Sequence, residues 1–507
     1  MTTFLVENKE YSLSEIYHFL HDRPKLILSE EIQSQINSSR KVLDDAVLED
    51  KVIYGVNTGF GKLSQVKIPN DKISDLQRNL ILSHAVGVGE PIPDDITILI
   101  ILLKIISLSK GYSGIRLLVV QRLVDMLNNN CLPIIPCQGS VGASGDLAPL
   151  SHMTLPLLGV GDVKFNGNVI SAETALQKLG WSSIQLSYKE GLALINGTQF
   201  STAYGVFCME KIDNLIKVAD ISGALSVEGL IGTDVAFEKR VHQLKPHQGQ
   251  LNSAENIYNL LQDSEIHESH KNCDRVQDMY SLRCMPQVHG ASRDVLFAAR
   301  NMLQVEINSV SDNPLVFIDG NDTISAGNFH AEASGQAMDI AAIALTELGN
   351  ICERRTYTLV DGEFELPHFL VEDSGLNSGF MIMQVSAAAI ASENKTYAHP
   401  STIDSIPTGA GQEDHVSMAP WAGRKLLKIV ENIEKLYTIE ILCACQAIDL
   451  RKGLSPAKLL KPIVDEVRKE VPFLSEDRYM KSDQEYVLEL IRNGTIVTIV
   501  EQNLKLK

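Results

Sequence analysis

The chain carries no surplus of positive charge. Its 45 lysines and arginines face 63 aspartates and glutamates, a formal net charge of −18. That excludes a phosphate-backbone binder, which needs a clustered basic surface. Long apolar runs are also missing. The most apolar stretch, residues 98–103, is cut by Lys104 and falls far short of a bilayer span. The first residues show no basic segment followed by an apolar core, so no export signal is expected. The eight cysteines include no Cys-x-x-Cys pair, a usage that fits a reducing compartment and a cytoplasmic location. No repeat of fixed period is evident.

What is present is a glycine-dense stretch, Gly139-Ser140-Val141-Gly142-Ala143-Ser144-Gly145-Asp146, running into Leu147-Ala148-Pro149-Leu150. A P-loop is excluded because no lysine follows the glycines. A nucleophile elbow is excluded because residue 146 is aspartate, where that motif needs glycine. Two readings stay open. One is a glycine-rich turn leading into a helix. The other is a ring closure in which the Gly145 nitrogen attacks the Ala143 carbonyl and two waters leave, giving an imidazolone with a methylene at Ser144. Small residues and a bent backbone are what that chemistry requires.

Other segments frame this one. Tyr54 stands in a loop with Gly55, Gly59 and Gly61; it is a half-buried packing residue or, with its acidity raised by neighbours, a general base. Residues 76–91 read as a helix stopped by Gly87 and Gly89, with Ser83 and His84 in the last turn. Residues 96–108 read as a buried helix and 113–128 as another. Beyond Trp181, long small-residue-rich helices are predicted at 188–235, 289–310, 331–359, 376–398 and 422–451. In the last of these Leu426, Ile429, Val430, Ile433, Leu436 and Tyr437 keep helical spacing.

The fold expected is therefore mainly α: a large elongated helical bundle with a smaller mixed N-terminal domain, drawn at 1–112 and 113–507. Loops at 192–198, 276–284, 327–332 and 398–423 hold the unusual polar residues. Among them Gln277, Tyr280 and Arg283 share one face if that segment is helical. His267, Glu268, His270, Cys273 and Asp274 superficially resemble a ligand set, but they lack His-Glu-x-x-His spacing and read as a solvated loop. No metal is expected.

The motifs, in order, resemble the aromatic amino acid ammonia-lyase family. They are YGVNTGFG at 54–61, LQRNLILSHAVGVGEP at 76–91, GSVGASGDLAPLSHM at 139–153, EGLALINGTQ at 190–199 and VQDMYSLRCMPQVHG at 276–290. GNFHAE at 327–332 and QEDHVSMAPWAGRKL at 412–426 continue the series. The resemblance spans nearly the whole chain. It implies the ammonia-lyase/fumarase-like helical architecture and a homotetramer whose active sites each draw on three subunits. It also implies that Ala143-Ser144-Gly145 cyclises to 4-methylidene-imidazol-5-one (MIO), with no pyridoxal phosphate and no metal. In the family's pattern Tyr54 is the base, Arg283 holds the substrate carboxylate, and Asn196, Gln277 and Tyr280 bond the prosthetic group or the amine. Phe329 packs beside them, and Asp146 assists ring formation. Ser83, His84, Gln412 and Glu413 fall at the substrate-selecting positions.

Glu413 decides the expected substrate. A carboxylate accepts from an imidazole ring and has no partner in a phenyl one. The expected reaction is deamination of L-histidine to trans-urocanate and ammonia, the opening step of histidine degradation. The alternatives are a tyrosine or phenylalanine lyase, or an aminomutase, of the same family. A helical binding protein that has lost catalysis is disfavoured because Ser144, Tyr54 and Arg283 are all present. Partners other than a small molecule and further copies of the chain are not expected: no nucleic acid and no membrane.

Overall fold

Pro93 and the acidic pair Asp94 and Asp95 open the helix Asp94–Ser109, where negative side chains suit the positive end of the helix dipole. Every residue from 96 to 109 is buried, Lys104 included. A helix without a polar face belongs inside a core, and this one packs on Leu117–Asn128. The latter starts later than the 113 expected, because Gly114 is left-handed (φ 62°) and Arg116 is extended.

The computed structural model describes residues 2–49, 51–271 and 275–507. The chain is mainly helical and divides into two compact units. The first comprises Met1–Phe207, Arg300–Asp339 and Pro400–Arg424. It contains the strands found among the described residues, in four small sheets. The sheet that matters for the site pairs Val88–Pro91 with Pro136–Gln138, antiparallel, with Val88 opposite Gln138 and Pro91 opposite Pro136. Here the expectation for residues 76–91 is corrected in part. The helix is Ile73–His84, with Ser83 and His84 in its last turn, and the residues after Gly87 form the strand.

The helix expected at 188–235 is also corrected. It is two helices, Glu190–Ile195 and Gln199–Gly229. The break lies at Asn196, which is extended (φ −81°, ψ 133°), and at Gly197 (φ 128°). Residues 192–195, expected in a loop, belong to the short helix.

The second unit comprises Cys208–Ala299, Ile340–His399 and Lys425–Lys507. It is built on long helical segments: residues 208–229, 285–299, 340–360 and 425–449, together with the helix Met381–Tyr397. Small residues let them approach closely. A Cβ at Gly349 would stand 2.8 Å from Ile433 and one at Gly229 2.9 Å from Ala447. The helix expected from 376 begins at Met381, because Asp477 accepts the Ser378 and Gly379 amides (2.7 and 2.8 Å) and holds them in a loop.

Two sets of buried charges in this unit are matched. Arg355 and Glu440 form a fully buried ion pair joined by Ser226 Oγ (2.7 Å). Asp220 accepts from Ser253 Oγ (2.7 Å), Asn256 Nδ2 (2.9 Å), His289 Nδ1 (2.8 Å) and Arg293 Nη2 (2.6 Å). Burial alone raises a carboxyl pKa, but the Arg293 charge and these bonds outweigh it and hold Asp220 well below the usual range. A depressed carboxyl pKa stabilises the fold above the unfolded value, and that stability is lost as pH falls through the folded one. Asp220→Asn, which leaves Arg293 without its counter-charge, is expected to cost about 3–5 kcal/mol at neutral pH. Urea unfolding checks this. The gap from wild type should narrow below about pH 4, and a gap independent of pH would show that Asp220 does not act through its charge.

Candidate active site

The strand Pro136–Gln138 delivers the glycine stretch, and the helix Leu147–Thr154 leaves it. Between them Gly142 (φ 68°) and Gly145 (φ 73°) take left-handed backbone, which a side chain resists. Space forbids one as well. A Cβ at Gly142 would stand 2.3 Å from Ser417 Oγ, and one at Gly145 2.2 Å from the Gly197 carbonyl oxygen. Hydrogen bonds close the grip. Ser417 Oγ donates to Gly142 O (3.0 Å), the Met418 amide to Val141 O (2.8 Å) and the Asp146 amide to Gly197 O (2.7 Å). Ala143-Ser144-Gly145 is thus pinned at both ends, with Ala143 and Gly145 buried and Ser144 half-buried.

Glu413 contacts this tripeptide, and two other polar side chains, Asp146 and Asn196, lie on the segments that pin it. Ser144 Oγ donates to Glu413 Oε1 at 3.0 Å, and Thr408 Oγ1 donates to Glu413 Oε2 at 2.6 Å. Asp146, fully buried, accepts from the amide and the hydroxyl of Ser201, both at 2.9 Å. Burial pushes its pKa up to about 7 despite those bonds and the nearby Lys104 ammonium. Asn196 is buried, donates to Asn313 O (3.3 Å), and its Oδ1 has no partner. An unmet buried acceptor costs about 1–3 kcal/mol, so it marks a place for a further donor.

The same unit holds Tyr54, Ser83, His84, Phe329 and Gln412. Tyr54 is half-buried, edge-on to Phe60, and its hydroxyl accepts from the Gly61 amide at 3.2 Å. Its loop is fixed by Asn57, which accepts the Ile53 amide (2.9 Å) and donates to Lys51 O (2.8 Å). His84 Nδ1 lies 3.0 Å from Ser83 Oγ and 2.8 Å from Leu80 O. Phe329 is half-buried and Gln412 exposed in the single chain.

Gln277, Tyr280 and Arg283 belong to the other unit. The helical turn there is only Tyr280–Arg283, so Gln277 precedes it; the expected three-residue face is corrected to two. Arg283 stacks 4.7 Å over the Tyr280 ring and donates from Nε to Asp278 O at 2.9 Å. Tyr280 and Gln277 are exposed.

Of the ligand-like cluster at 267–274, Cys273 and Asp274 lie outside the described residues. His267 pairs with Asp234 at 3.1 Å, and Glu268 pairs with Lys271. Among the described residues a different trio, His330, Glu332 and His415, brings donor atoms within 4.8 Å of one another. The two imidazoles are parallel at 5.8 Å, and Gln336 donates to Glu332 (2.8 Å). They tie the loop carrying Phe329 to the loop carrying Glu413.

Sequence reasoning missed Gln77. Fully buried, it donates to Gly55 O (3.3 Å) and accepts the Gly191 and Leu192 amides (2.9 and 3.3 Å). It therefore joins the Tyr54 loop to the helix that leads to Asn196. A glutamine at the position a helix gives to its apolar face was the available signal.

Residues 11–469 match the family described as aromatic amino acid lyase. A histidine ammonia-lyase of Idiomarina loihiensis is 46% identical over 503 residues, covering 99% of this chain and 98% of that protein. The crystal structure of histidine ammonia-lyase from Trypanosoma cruzi aligns with a TM-score of 0.92 at 39% identity, over 100% of this chain and 96% of that one. Phenylalanine aminomutase of Pantoea agglomerans aligns with a TM-score of 0.92 at 33% identity, over 97% and 99%. The chain belongs to the aromatic amino acid lyase family.

Gln77→Leu keeps the volume but strands two buried amides and a carbonyl. Expected is a loss of about 2–3 kcal/mol, read as a lower urea midpoint with unchanged slope. An unchanged midpoint would mean that the Tyr54 loop and the Asn196 segment are not joined through this side chain.

Proposed function

We propose that this protein is a carbon–nitrogen lyase that converts L-histidine to trans-urocanate and ammonia, using an MIO ring formed from Ala143-Ser144-Gly145. The observation that carries the reading is the bond from Ser144 Oγ to Glu413 Oε1 at 3.0 Å. The residues present fit the ring. The flanking glycines leave no side chain in its way, and since the closed ring has no N–H to give, the unmet Asn196 Oδ1 is left as an acceptor for the substrate ammonium. When formed, the ring supplies an electrophile for either the substrate amine or its aromatic ring, and so eases departure of the amine.

The chain's own residues do the rest. Tyr54 Oη takes a β-proton as the Cα–N bond breaks and the Cα–Cβ double bond forms. Arg283 presents two parallel donors to the substrate carboxylate, while Gln277, Tyr280 and Asn196 hold the amine. Phe329 packs beside the reacting centre. Ser83, His84 and Gln412 line the substrate ring with Glu413. Closure of the ring expels the Ser144 hydroxyl as water, and with it Glu413 loses a donor. An imidazole N–H replaces that donor; a phenyl ring does not, and an unpartnered buried carboxylate is costly.

The assembly we propose is a homotetramer with shared sites. It is supported by Gln277 and Tyr280, both exposed in the single chain, and by exposed apolar residues such as Ile382, Val385 and Phe297.

Two experiments test this. In the first, the protein is incubated with L-histidine, L-tyrosine and L-phenylalanine, and the products are read by ultraviolet spectra. Only histidine should be turned over well, and Glu413→Gln should lower kcat/KM for it at least tenfold, the worth of about 1.4 kcal/mol. A preference for tyrosine or phenylalanine, or return of the amine to the β-carbon, would assign the chain to another branch of the family. The second is Tyr54→Phe, which keeps the ring and removes the hydroxyl. Turnover should fall by about 10²–10⁴-fold with little change in the melting point. Wild-type turnover in this variant would return Tyr54 to a packing role.

A further inference from the structure

Lys104 is the only charged residue of the helix Asp94–Ser109 beyond its first turn, and it is buried to within 1%. A buried ammonium persists where its protons are taken up by hydrogen bonds. Here Nζ donates to Asn196 O at 2.6 Å and Ala193 O at 3.2 Å. The short helix Glu190–Ile195 ends at this point, and a helix C-terminus leaves such carbonyls unpaired. Its nearest carboxylates are engaged elsewhere. Asp312 pairs with Lys189 at 2.8 Å, and Asp146 is bonded to Ser201. Burial pushes the Lys104 pKa down to about 7, with Lys189 adding to the effect and Asp312 and Asp146 opposing it.

The residue after Asn196 is Gly197, whose carbonyl takes the Asp146 amide and lies hard against Gly145. A continuous path therefore runs from the amine, through Asn196 O and Gly197, to the back of the tripeptide.

We propose that Lys104 is a positioning residue for ring closure in Ala143-Ser144-Gly145, holding residues 196–197 so that the Gly145 nitrogen stays pressed toward the Ala143 carbonyl carbon. The proposal rests on the ring reading given above. In that closure a bond forms between Gly145 N and Ala143 C. The Ala143 oxygen leaves as water with the Gly145 and Ser144 amide hydrogens, giving a C=N bond to Ser144. The Ser144 hydroxyl leaves as water with its own Cα hydrogen, giving the methylene. No oxidant is consumed. Lys104 transfers no proton in this scheme; it acts through the backbone it anchors.

The test is intact-mass spectrometry of the full chain as wild type, Lys104→Met and Lys104→Gln, with far-ultraviolet circular dichroism and urea unfolding on each. Wild type should be lighter than its sequence mass by two waters. The Met variant should keep the helical signal but close the ring about tenfold more slowly or worse, for want of a charge-assisted hydrogen bond. It would then appear mostly at full mass after expression, and Gln, which keeps a donor, should fall between. A folded Met variant that has lost both waters as completely as wild type overturns the proposal and leaves the ring reading intact. Wild type at full mass overturns both. If both variants accumulate only as insoluble chain, Lys104 is a folding determinant and its special link to ring closure is overturned.

Discussion

The contact on which the first unit depends is backbone against backbone, Gly145 on Gly197. Neither position has room for a side chain: a Cβ at Gly145 would meet Gly197, and one at Gly197 would stand 2.7 Å from Ser311 O. Such a contact needs support from behind, and the supports are polar and buried. Asp146 is tied to Ser201, Lys104 to the Asn196 carbonyl, and Lys189 to Asp312. Glu306, its pKa raised by burial, takes the Thr198 hydroxyl at 2.5 Å. Each of these is expensive in a core. Their concentration around one turn is what stored backbone strain requires of its surroundings.

Two buried carboxyls, one in each unit, are treated in opposite ways. Asp220 and Asp146 are both fully buried carboxyls, yet one has its pKa driven down and the other up to about 7. Asp220 has a guanidinium and an imidazole in direct contact, so its charge is compensated where it sits. Asp146 has a hydroxyl and an amide, and its nearest ammonium spends its bonds on carbonyls. The first arrangement is what stability favours. The second leaves Asp146 and Lys104 with pKa values close to neutrality, the pattern that marks a working site.

Much of this was legible in the sequence. The largely apolar composition of 96–108 pointed to a core helix, and Ser83 and His84 fell in a last turn as glycine spacing required. The motifs of the loops named Glu413, which the Ser144 hydroxyl meets. What escaped were features set by distant partners. Leu-Ala-Leu-Ile-Asn reads as continuous helix, and only the Asn196 and Gly197 conformations break it, held by Lys104 from another helix. Gln277 lies three residues before Tyr280, a helical spacing, but the turn starts after it. Ser417, which closes the grip on Gly142 from 275 positions further along the chain, has no local signature. Lys104 was visible only as an interruption of an apolar run; its role is tertiary.

Glu413 joins the making of the site to its selectivity. A carboxylate that merely happened to face Ser144 would swing away once that hydroxyl departed. This one is held. Thr408 and Glu413 exchange backbone hydrogen bonds, Thr408 N to Glu413 O at 2.9 Å and Glu413 N to Thr408 O at 3.3 Å, and the Thr408 hydroxyl fixes the second carboxylate oxygen. With the backbone and Oε2 both anchored, Oε1 keeps its direction whether or not Ser144 still carries its oxygen. On our reading the acceptor is therefore already aimed when substrate arrives, and little side-chain entropy is left to lose on binding. A ring with an N–H meets a directed carboxylate; a ring without one leaves its Oε1 desolvated and without a donor. Fixed geometry makes that penalty unavoidable, and so turns a modest attraction into discrimination.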